Sequence, residues 1–411
     1  MRKMATLFDY LAWRGDLSFE KVEFCEVDNL IFAELSFIDF DQLLQPEETE
    51  LSLAEAAKRY VKKYGGQKIS MGVIVPNTIP KLFVEASKTA RYRNVRMVRF
   101  VNEIDTATQI QFAGAVFVFL PDHAYIAFRG TDDTLIGWKE NLNMGFLPVV
   151  PAQQRAAAFI TDFAASFPGK MYVGGHSKGG NLSVYGASNA SADAQARILH
   201  IYSNDGPGYQ SEFLQSPGYL QMRDRITTIL PQNSIVGRLL EHEDDYEVVR
   251  STQKGLYQHD GFSWEVMGDH FIRMTDLTAQ SKRIDRTVRT WIAEMDESQR
   301  EAFVDALYEI LSASSAQTLS DIADGKLNFI KSLWKVDAQK RQMVVKTLKR
   351  LSDAITKDWF YSLVKPSEKK KKPQLQEKAE KPALPKAKEA DSVQDTTSQA
   401  DPTQTTPLPS P

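Results

Sequence analysis

A glycine–x–serine–x–glycine pentapeptide, GHSKG at 175–179, constrains the fold of this chain more than any other feature of its sequence. In this pattern the serine sits on a tight turn from a strand into a helix, and its hydroxyl projects from the end of a sheet. An apolar stretch at 171–173 precedes the pattern, and a helix-like run of small residues at 179–190 follows it. This context predicts an α/β fold with Ser177 as a nucleophile.

Strand-like and helix-like segments alternate through the centre of the chain. Segments 114–120 and 124–128 are apolar, rich in β-branched and aromatic residues and separated by a Pro-Asp turn, which predicts a hairpin. Segment 151–167 has apolar residues on one helical face, and 198–202 is a further strand. Strands separated by helices predict a mostly parallel sheet flanked by helices. Together with the serine pentapeptide, which is the pattern of the nucleophile turn in α/β-hydrolases, this predicts an α/β-hydrolase-like fold.

Composition divides the chain into three parts. Residues 1–275 are assigned to the hydrolase-like domain, in which segment 1–95 has the weakest secondary-structure signals. Residues 276–365 have helical patterns almost throughout, which predicts a helical extension packed on the sheet domain, or a small second domain. Residues 366–411 hold 8 of the 18 prolines and no aromatic residue. Such a segment cannot bury enough apolar surface to offset the entropy of ordering it, so we predict a disordered tail.

Deleting residues 366–411 should leave the melting temperature and any enzymatic activity nearly unchanged, because the tail contributes no apolar core. Thermal unfolding of the full and shortened chains checks this. A melting temperature that falls by more than a few degrees on deletion would contradict it.

Charge and cysteine content exclude several classes of function. A formal net charge of −3 argues against a protein held to nucleic acid by phosphate contacts. Cys25 is the only cysteine, so neither an intrachain disulfide nor a cysteine-based metal site is expected. The N-terminus lacks the apolar core of a signal peptide, and no stretch approaches 18 apolar residues. We therefore expect a cytoplasmic protein with no transmembrane segment, metal or cofactor.

A serine nucleophile needs a base, and in α/β-hydrolases the chain order is serine, acid, histidine. Four histidines follow the serine: His200, His242, His259 and His270. His200 is placed at the start of a strand, His242 in an acidic patch and His270 near the helical extension. Position in a loop after a strand favours His259 as the base.

For the acid, Asp205 ends a strand-like segment and begins a Gly-Pro-Gly turn. Functional groups gather at the carboxyl ends of strands in open α/β sheets, which favours Asp205. The competing interpretation is an ordinary turn residue. Asp244, Asp245 and Asp260 are the alternative acids.

The oxyanion hole needs two N–H donors, one from the residue after the nucleophile, here Lys178. The second is assigned to Thr131, in the loop after strand 124–128. The alternative is a polar turn in which Asp132 or Asp133 caps a helix. The Lys178 side chain either favours an anionic substrate or points to solvent, and the strong hydration of lysine favours solvent.

Three segments, AFRGTDDTLIGWKENL, GGHSKGGNLSVYG and YQHDGFSW, resemble the corresponding segments of class 3 lipases, the fungal-lipase type. The longer series from LFDYLAWRGDLSF through NDGPGY and LPQNSIVGRLLEH to YQHDGFSWEV resembles an uncharacterised bacterial family, the Mbeg-like domain, over residues 5–270. The resemblance implies an α/β-hydrolase fold with Ser177 as nucleophile, His259 as base, and Thr131 and Lys178 at the oxyanion hole.

The chain departs from the class 3 lipases at the acid, which that family carries in an N-D-x-V-P segment. Here the similar stretch, 233–237, reads NSIVG, so Ser234 occupies the acid's place. Either the acid has moved to Asp205, or the triad is incomplete.

These observations predict a soluble serine hydrolase that cleaves a carboxylic ester or thioester, from a small molecule or a lipid, through an acyl-enzyme. The first alternative is an inactive hydrolase-fold scaffold, whose extension and tail recruit an unidentified partner. The second is lipid hydrolysis at a membrane surface, supported by the lysine run at 369–372.

Overall fold

A computed structural model describes residues 4–65, 67, 71–72, 75–145, 147–241, 245–312, 318, 336–347 and 349–350. The tail predicted at 366–411 lies outside the described residues and stays a prediction. The α-helices are α1 (Leu7–Arg14), α2 (Glu26–Leu35), α3 (Leu53–Tyr64), α4 (Ile79–Lys88), α5 (Leu135–Asn143), α6 (Pro151–Ser166), α7 (Lys178–Ser188), α8 (Ala192–Arg197), α9 (Ser211–Leu214), α10 (Pro217–Met222), α11 (Ala279–Ala293) and α12 (Glu297–Ser312).

The strands are β1 (Leu51–Ser52), β2 (Arg96–Asp105), β3 (Ile110–Leu120), β4 (His123–Phe128), β5 (Lys170–His176), β6 (Ile198–Asn204), β7 (Ile226–Pro231), β8 (Glu247–Val249), β9 (Val266–Met267), β10 (His270–Phe271) and β11 (Arg273–Met274). Short 3₁₀ helices cover Arg223–Arg225, Val236–Arg238, Gly255–His259 and Gly261–Ser263.

One nine-stranded sheet forms the centre of the fold, in the order β1-β2-β3-β4-β5-β6-β7-β8-β11. Strands β4 to β8 run parallel to one another, whereas β1 to β4 pair antiparallel and β11 is an antiparallel edge strand. The predicted hairpin is β3–β4, and helices cross between the parallel strands as expected. The fold class is α/β, with an α/β-hydrolase-like sheet flanked by helices.

Alternate residues of the central strands face two separate apolar cores, because side chains alternate between the faces of a sheet. On β4, Tyr125 and Ala127 pack with the N-terminal helices, whereas Ile126 and Phe128 pack with α6 and α7. Burial on both faces explains why the strand reads as one continuous apolar run.

Helix α2 lies in a stretch, 22–40, whose sequence is ambiguous. Every residue from Val27 to Leu35 is buried, so the helix lacks the polar face that makes an amphipathic helix recognisable. Its Asn29 amide donates to Asn204 Oδ1 at 2.9 Å and its carbonyl oxygen accepts from the Tyr125 hydroxyl at 2.7 Å. These bonds fix α2 to the sheet beside the carboxyl end of β6.

Two helices of the predicted extension, α11 and α12, pack against the sheet domain. The Ser281 hydroxyl of α11 donates to Ser234 O at 2.5 Å, and Lys139 of α5 pairs with Asp305 of α12 at 2.9 Å. In the part of the chain that the structure describes, no helix is long and apolar enough to cross a membrane.

Candidate active site

Ser177 lies at the sharp turn between β5 and α7, as the pentapeptide predicts. Its backbone has φ +58° and ψ −130°, in the left-handed half of the conformational map that a residue with a side chain rarely occupies. Such strain persists only where the surroundings impose it, and it is concentrated at functional sites. A hydrogen bond from Ser177 N to Asn204 O at 2.9 Å holds the turn against β6.

The glycines on either side of the serine allow a very close approach of strand and helix. A Cβ placed on Gly175 would lie 2.4 Å from Gly179 C, and one on Gly179 would lie 2.0 Å from Phe128 O. Either methyl group would force β4, β5 and α7 apart. The glycines of the pentapeptide are therefore required by contact distance, independently of backbone torsion.

Asp205 follows β6 as Ser177 follows β5. In the parallel register, His176 pairs with Asn204, so the two residues leave neighbouring strands at the same edge of the sheet. Asp205 also has a positive φ, +48°, and its side chain is fully buried.

His259 meets Asp205 directly, with 2.6 Å between His259 Nδ1 and Asp205 Oδ2. A carboxylate only accepts hydrogen bonds, so in the neutral imidazole Nδ1 carries the proton and Nε2 the lone pair. That is the tautomer of a general base. No hydrogen bond joins Ser177 Oγ to His259 among the described residues, and that contact stays a prediction.

The other carboxylate oxygen of Asp205 is bound by the segment in which the class 3 pattern carries its acid. Ser234 Oγ donates to Oδ1 at 2.5 Å, and Gly237 N donates to the same oxygen at 3.2 Å. Ser234, which occupies the acid's place in the class 3 pattern, thus binds the carboxylate that contacts His259. Both donors hold the Asp205 carboxylate in place.

The segment around His259 is held from several sides. His176 Nε2 donates to His259 O at 2.7 Å, and the two imidazole rings are 4.6 Å apart. Trp264 Nε1 donates to Gln258 O at 2.9 Å, and the Gln258 side chain accepts from Asn233 N at 2.8 Å. The imidazole of His259 therefore lies beside the residue that precedes Ser177.

A buried carboxyl lies behind the turn. Glu34 Oε1 is 3.5 Å from His176 Nδ1, Glu34 is fully buried, and neither of its oxygens has a hydrogen-bond partner among the described residues. Burial, and then the charge of Asp260, raise the pKa of Glu34 well above its ordinary range. Burial, and then His259, lower the pKa of His176 to about 3. His176 is therefore neutral at pH 7, and the pair is not an ion pair.

Glu34→Gln should stabilise the protein at pH 8 but not at pH 4. The pKa of Glu34 is higher in the folded than in the unfolded chain, so wild-type stability falls as pH rises above about 4.5, whereas glutamine does not titrate. Each unit of pKa difference corresponds to about 1.4 kcal/mol. Each kcal/mol raises the melting temperature of a domain of this size by ~2–4 °C.

Melting temperatures of both proteins between pH 4 and pH 8 check this, with Glu20→Gln, at an exposed glutamate, as the control. An equal effect of Glu34→Gln at both pH values would contradict it.

Thr131 lies in the loop after β4, next to the Ser177 turn. A Cβ placed on Gly130 would lie 3.2 Å from Ser177 Cβ, which shows how closely this loop approaches the serine. Thr131 is buried, and its Oγ1 accepts a hydrogen bond from the Asn141 side chain of α5. The hydroxyl proton of Thr131 is thereby left to donate to another acceptor.

The interpretation that the Lys178 side chain points to solvent is wrong. The ammonium is fully buried and donates to Glu140 Oε2 at 2.5 Å, to Gln111 O at 2.5 Å and to Gln111 Oε1 at 2.9 Å. Burial lowers the pKa of Lys178, and Glu140 opposes that shift. The buried Glu140 carboxylate takes the place of water as the partner of the Lys178 ammonium. The cation therefore does not face a substrate.

The competing histidines have other partners. His200 Nε2 lies 2.8 Å from Thr227 Oγ1 on the sheet, and the exposed His270 Nδ1 lies 2.9 Å from Asp269 Oδ1. His242 lies outside the described residues.

Among the competing acids, Asp260 accepts from Phe262 N at 3.0 Å and Asp245 is exposed. Asp244 lies outside the described residues. Ser177, Asp205 and His259 are thus gathered at one edge of the sheet.

Sequence reasoning missed Glu34 and Glu140, because nothing local distinguishes a glutamate that will be buried. The one available signal for Glu140 was Lys178 itself. The ammonium of a lysine directly after the nucleophile must either reach solvent or meet a buried partner.

The mostly parallel sheet and the turn at its carboxyl edge define the class of the fold, that of the α/β-hydrolases. The sequence model of the Mbeg1-like family matches residues 86–309. That is more than half of the chain, and the protein belongs to this family.

Comparison with solved structures finds fungal lipases. The chain is 15% identical to lipase II from Rhizopus niveus, with a TM-score of 0.32, covering 41% of this chain and 71% of that one. It is 15% identical to a mutant form of MDLA from Penicillium cyclopium, with a TM-score of 0.35, covering 59% of this chain and 83% of that one. It is 14% identical to the lipase in the Rhizomucor miehei lipase propeptide complex, with a TM-score of 0.31, covering 54% of this chain and 68% of that one.

TM-scores this low do not establish a common fold. The fold class is therefore assigned from the strand order and from the strand-to-helix turn at Ser177. No curated protein matches the sequence significantly.

Proposed function

We propose that this protein is a serine hydrolase that cleaves a carboxylic ester or thioester, of a small molecule or a lipid, through an acyl-enzyme. The observation that carries the proposal is the contact between His259 Nδ1 and Asp205 Oδ2, 2.6 Å long, beside a serine in a strained strand-to-helix turn. In this proposal the turn is a nucleophile elbow, and the three side chains are nucleophile, base and acid.

The reaction runs in two halves. Ser177 Oγ attacks the substrate carbonyl while His259 Nε2 takes the hydroxyl proton, and the N–H groups of Lys178 and Thr131 bind the developing oxyanion. Collapse of the tetrahedral intermediate breaks the bond to the leaving group, which receives the proton from His259. Water, deprotonated by His259, then attacks the acyl carbonyl. The bond to Ser177 Oγ breaks, His259 returns the proton to that oxygen, and the carboxylic acid leaves.

The inactive-scaffold alternative drew its support from Ser234 in the position of the acid. Asp205 supplies a buried carboxylate to His259, and Ser234 binds that carboxylate. The serine at position 234 is thus compatible with a complete triad, and we favour an active enzyme over an inactive scaffold.

A fluorophosphonate probe tests the proposal, because it phosphonylates only an activated serine. We expect one label per folded chain, mapped to the peptide that contains Ser177, and none after heat denaturation. p-Nitrophenyl esters of increasing acyl length, with a thioester series alongside, then define the substrate class. A folded protein that takes no label, or takes it at another serine, would be inconsistent with a serine hydrolase at this site.

A further inference from the structure

Helix α5 connects the two residues to which we assign the oxyanion donors. Glu140 of this helix receives the ammonium of Lys178, and the next residue, Asn141, donates to the Thr131 hydroxyl. Successive residues of one helix therefore bind the side chains of both donor residues. This inference rests on the proposed function.

The contacts of the ion pair leave little freedom. The three ammonium protons of Lys178 go to Glu140 Oε2, Gln111 O and Gln111 Oε1. Glu140 Oε2 also accepts from Gln111 N at 3.1 Å, and Glu140 Oε1 accepts from Ala152 N at 2.9 Å. The pair thus joins the N-terminus of α7 to β3, α5 and α6, and these directional bonds define one arrangement of those elements.

Helix α5 is also packed tightly against the loop that carries Thr131. A Cβ placed on Gly137 would lie 3.2 Å from Thr131 Cγ2 and 3.0 Å from Gln111 Oε1. A shift of α5 would therefore displace Thr131.

We propose that the buried Lys178–Glu140 ion pair positions the oxyanion hole, by holding α5 at a set distance from the start of α7 and thereby setting the separation of the Lys178 and Thr131 N–H groups. Lys178 has two separate roles in this proposal: its N–H binds the oxyanion, and its side chain, with Glu140, acts as a positioning group. Two apolar side chains would fill the same space, but they form no directional hydrogen bonds and so would not define the position of α5 relative to α7.

The test replaces the pair by neutral groups. Removing one partner alone would leave a buried charge uncompensated and endanger folding, so both are changed together, Lys178→Met with Glu140→Gln. We expect kcat to fall by ~10–100-fold with KM nearly unchanged, since a displacement of about 1 Å costs up to ~10²-fold. The matched control, Lys139→Met with Asp305→Asn, removes an ion pair from the same helix without touching either donor residue.

A second variant covers the case in which the double variant does not fold. Asn141→Ala should lower kcat by ~10-fold relative to Asn143→Ala, on the same helix, whose side chain donates instead to Gln109 Oε1 at 3.3 Å. Melting temperatures accompany all kinetic measurements.

Normal kcat in a folded Lys178→Met/Glu140→Gln protein would overturn the inference and leave the proposed function standing. If the double variant does not fold, normal kcat in Asn141→Ala overturns it instead. An equal loss of kcat in the Lys139→Met/Asp305→Asn control would also overturn it. The loss would then be explained by a general weakening of the packing of α5. A wild-type protein that is neither labelled at Ser177 nor active on esters would refute both proposals together.

Discussion

Ser177→Ala is expected to abolish fluorophosphonate labelling and to lower kcat on an active ester by ~10⁴–10⁶, because the proposed acyl-enzyme forms on the Ser177 hydroxyl. The protein should stay folded, since alanine fits the space of the serine. The control is Ser183→Ala in α7, whose hydroxyl donates to Gly179 O at 2.7 Å. That variant should keep near wild-type activity.

Ser177→Gly distinguishes the chemical role of the Ser177 hydroxyl from the backbone strain at the same position. Glycine adopts φ near +58° without steric cost, so this variant should be as inactive as Ser177→Ala but more stable than it, by roughly 1 kcal/mol. Calorimetry of the two variants measures the difference. Substantial labelling or turnover in either one would place the nucleophile elsewhere.

Asp205→Asn should lower kcat by ~10³–10⁴ and leave the fold intact. Asparagine tolerates the positive φ of this position, and its carbonyl oxygen can still accept from Ser234 and Gly237. Its amide nitrogen would then face His259 Nδ1 as a donor. The imidazole proton would move to Nε2, and the base could no longer accept the proton of the serine.

Ser234→Ala is the matched control, because it removes a hydrogen bond to Asp205 and leaves the carboxylate charge in place. We expect it to cost at most ~10-fold in kcat. The pH dependence of kcat/KM for all variants shows whether His259 still titrates as a base. The acid is misassigned if Asp205→Asn turns over normally while a change at Asp244, Asp245 or Asp260 abolishes activity.

The parts of the site that sequence predicted depend on local sequence patterns and on one geometric rule. Continuous apolar runs located β3 and β4, and the pentapeptide located the turn at Ser177. The rule that parallel strands end at the same edge brought Asp205 to that turn, since it follows the neighbouring strand.

The parts that sequence did not predict depend on burial of polar groups. The partner of Lys178, Glu140, lies 38 residues away and its identity follows only from the packing of α5. Helix α2 escaped recognition because it is buried on all sides, and its Glu34 therefore could not be distinguished from a surface glutamate.

The hydrogen bond between Ser234 and Asp205 has a consequence for how such proteins are compared with one another. Side chains from positions 205 and 234 converge on one point, although 29 residues separate them along the chain. During evolution a carboxylate could pass from one position to the other while its place beside the histidine hardly changes. If Asp205 is the acid, as we propose, a family alignment that scores the acid by column records a lost residue where a carboxylate has been relocated. Relatives set aside as inactive on that ground are better judged by the spatial neighbours of their histidine.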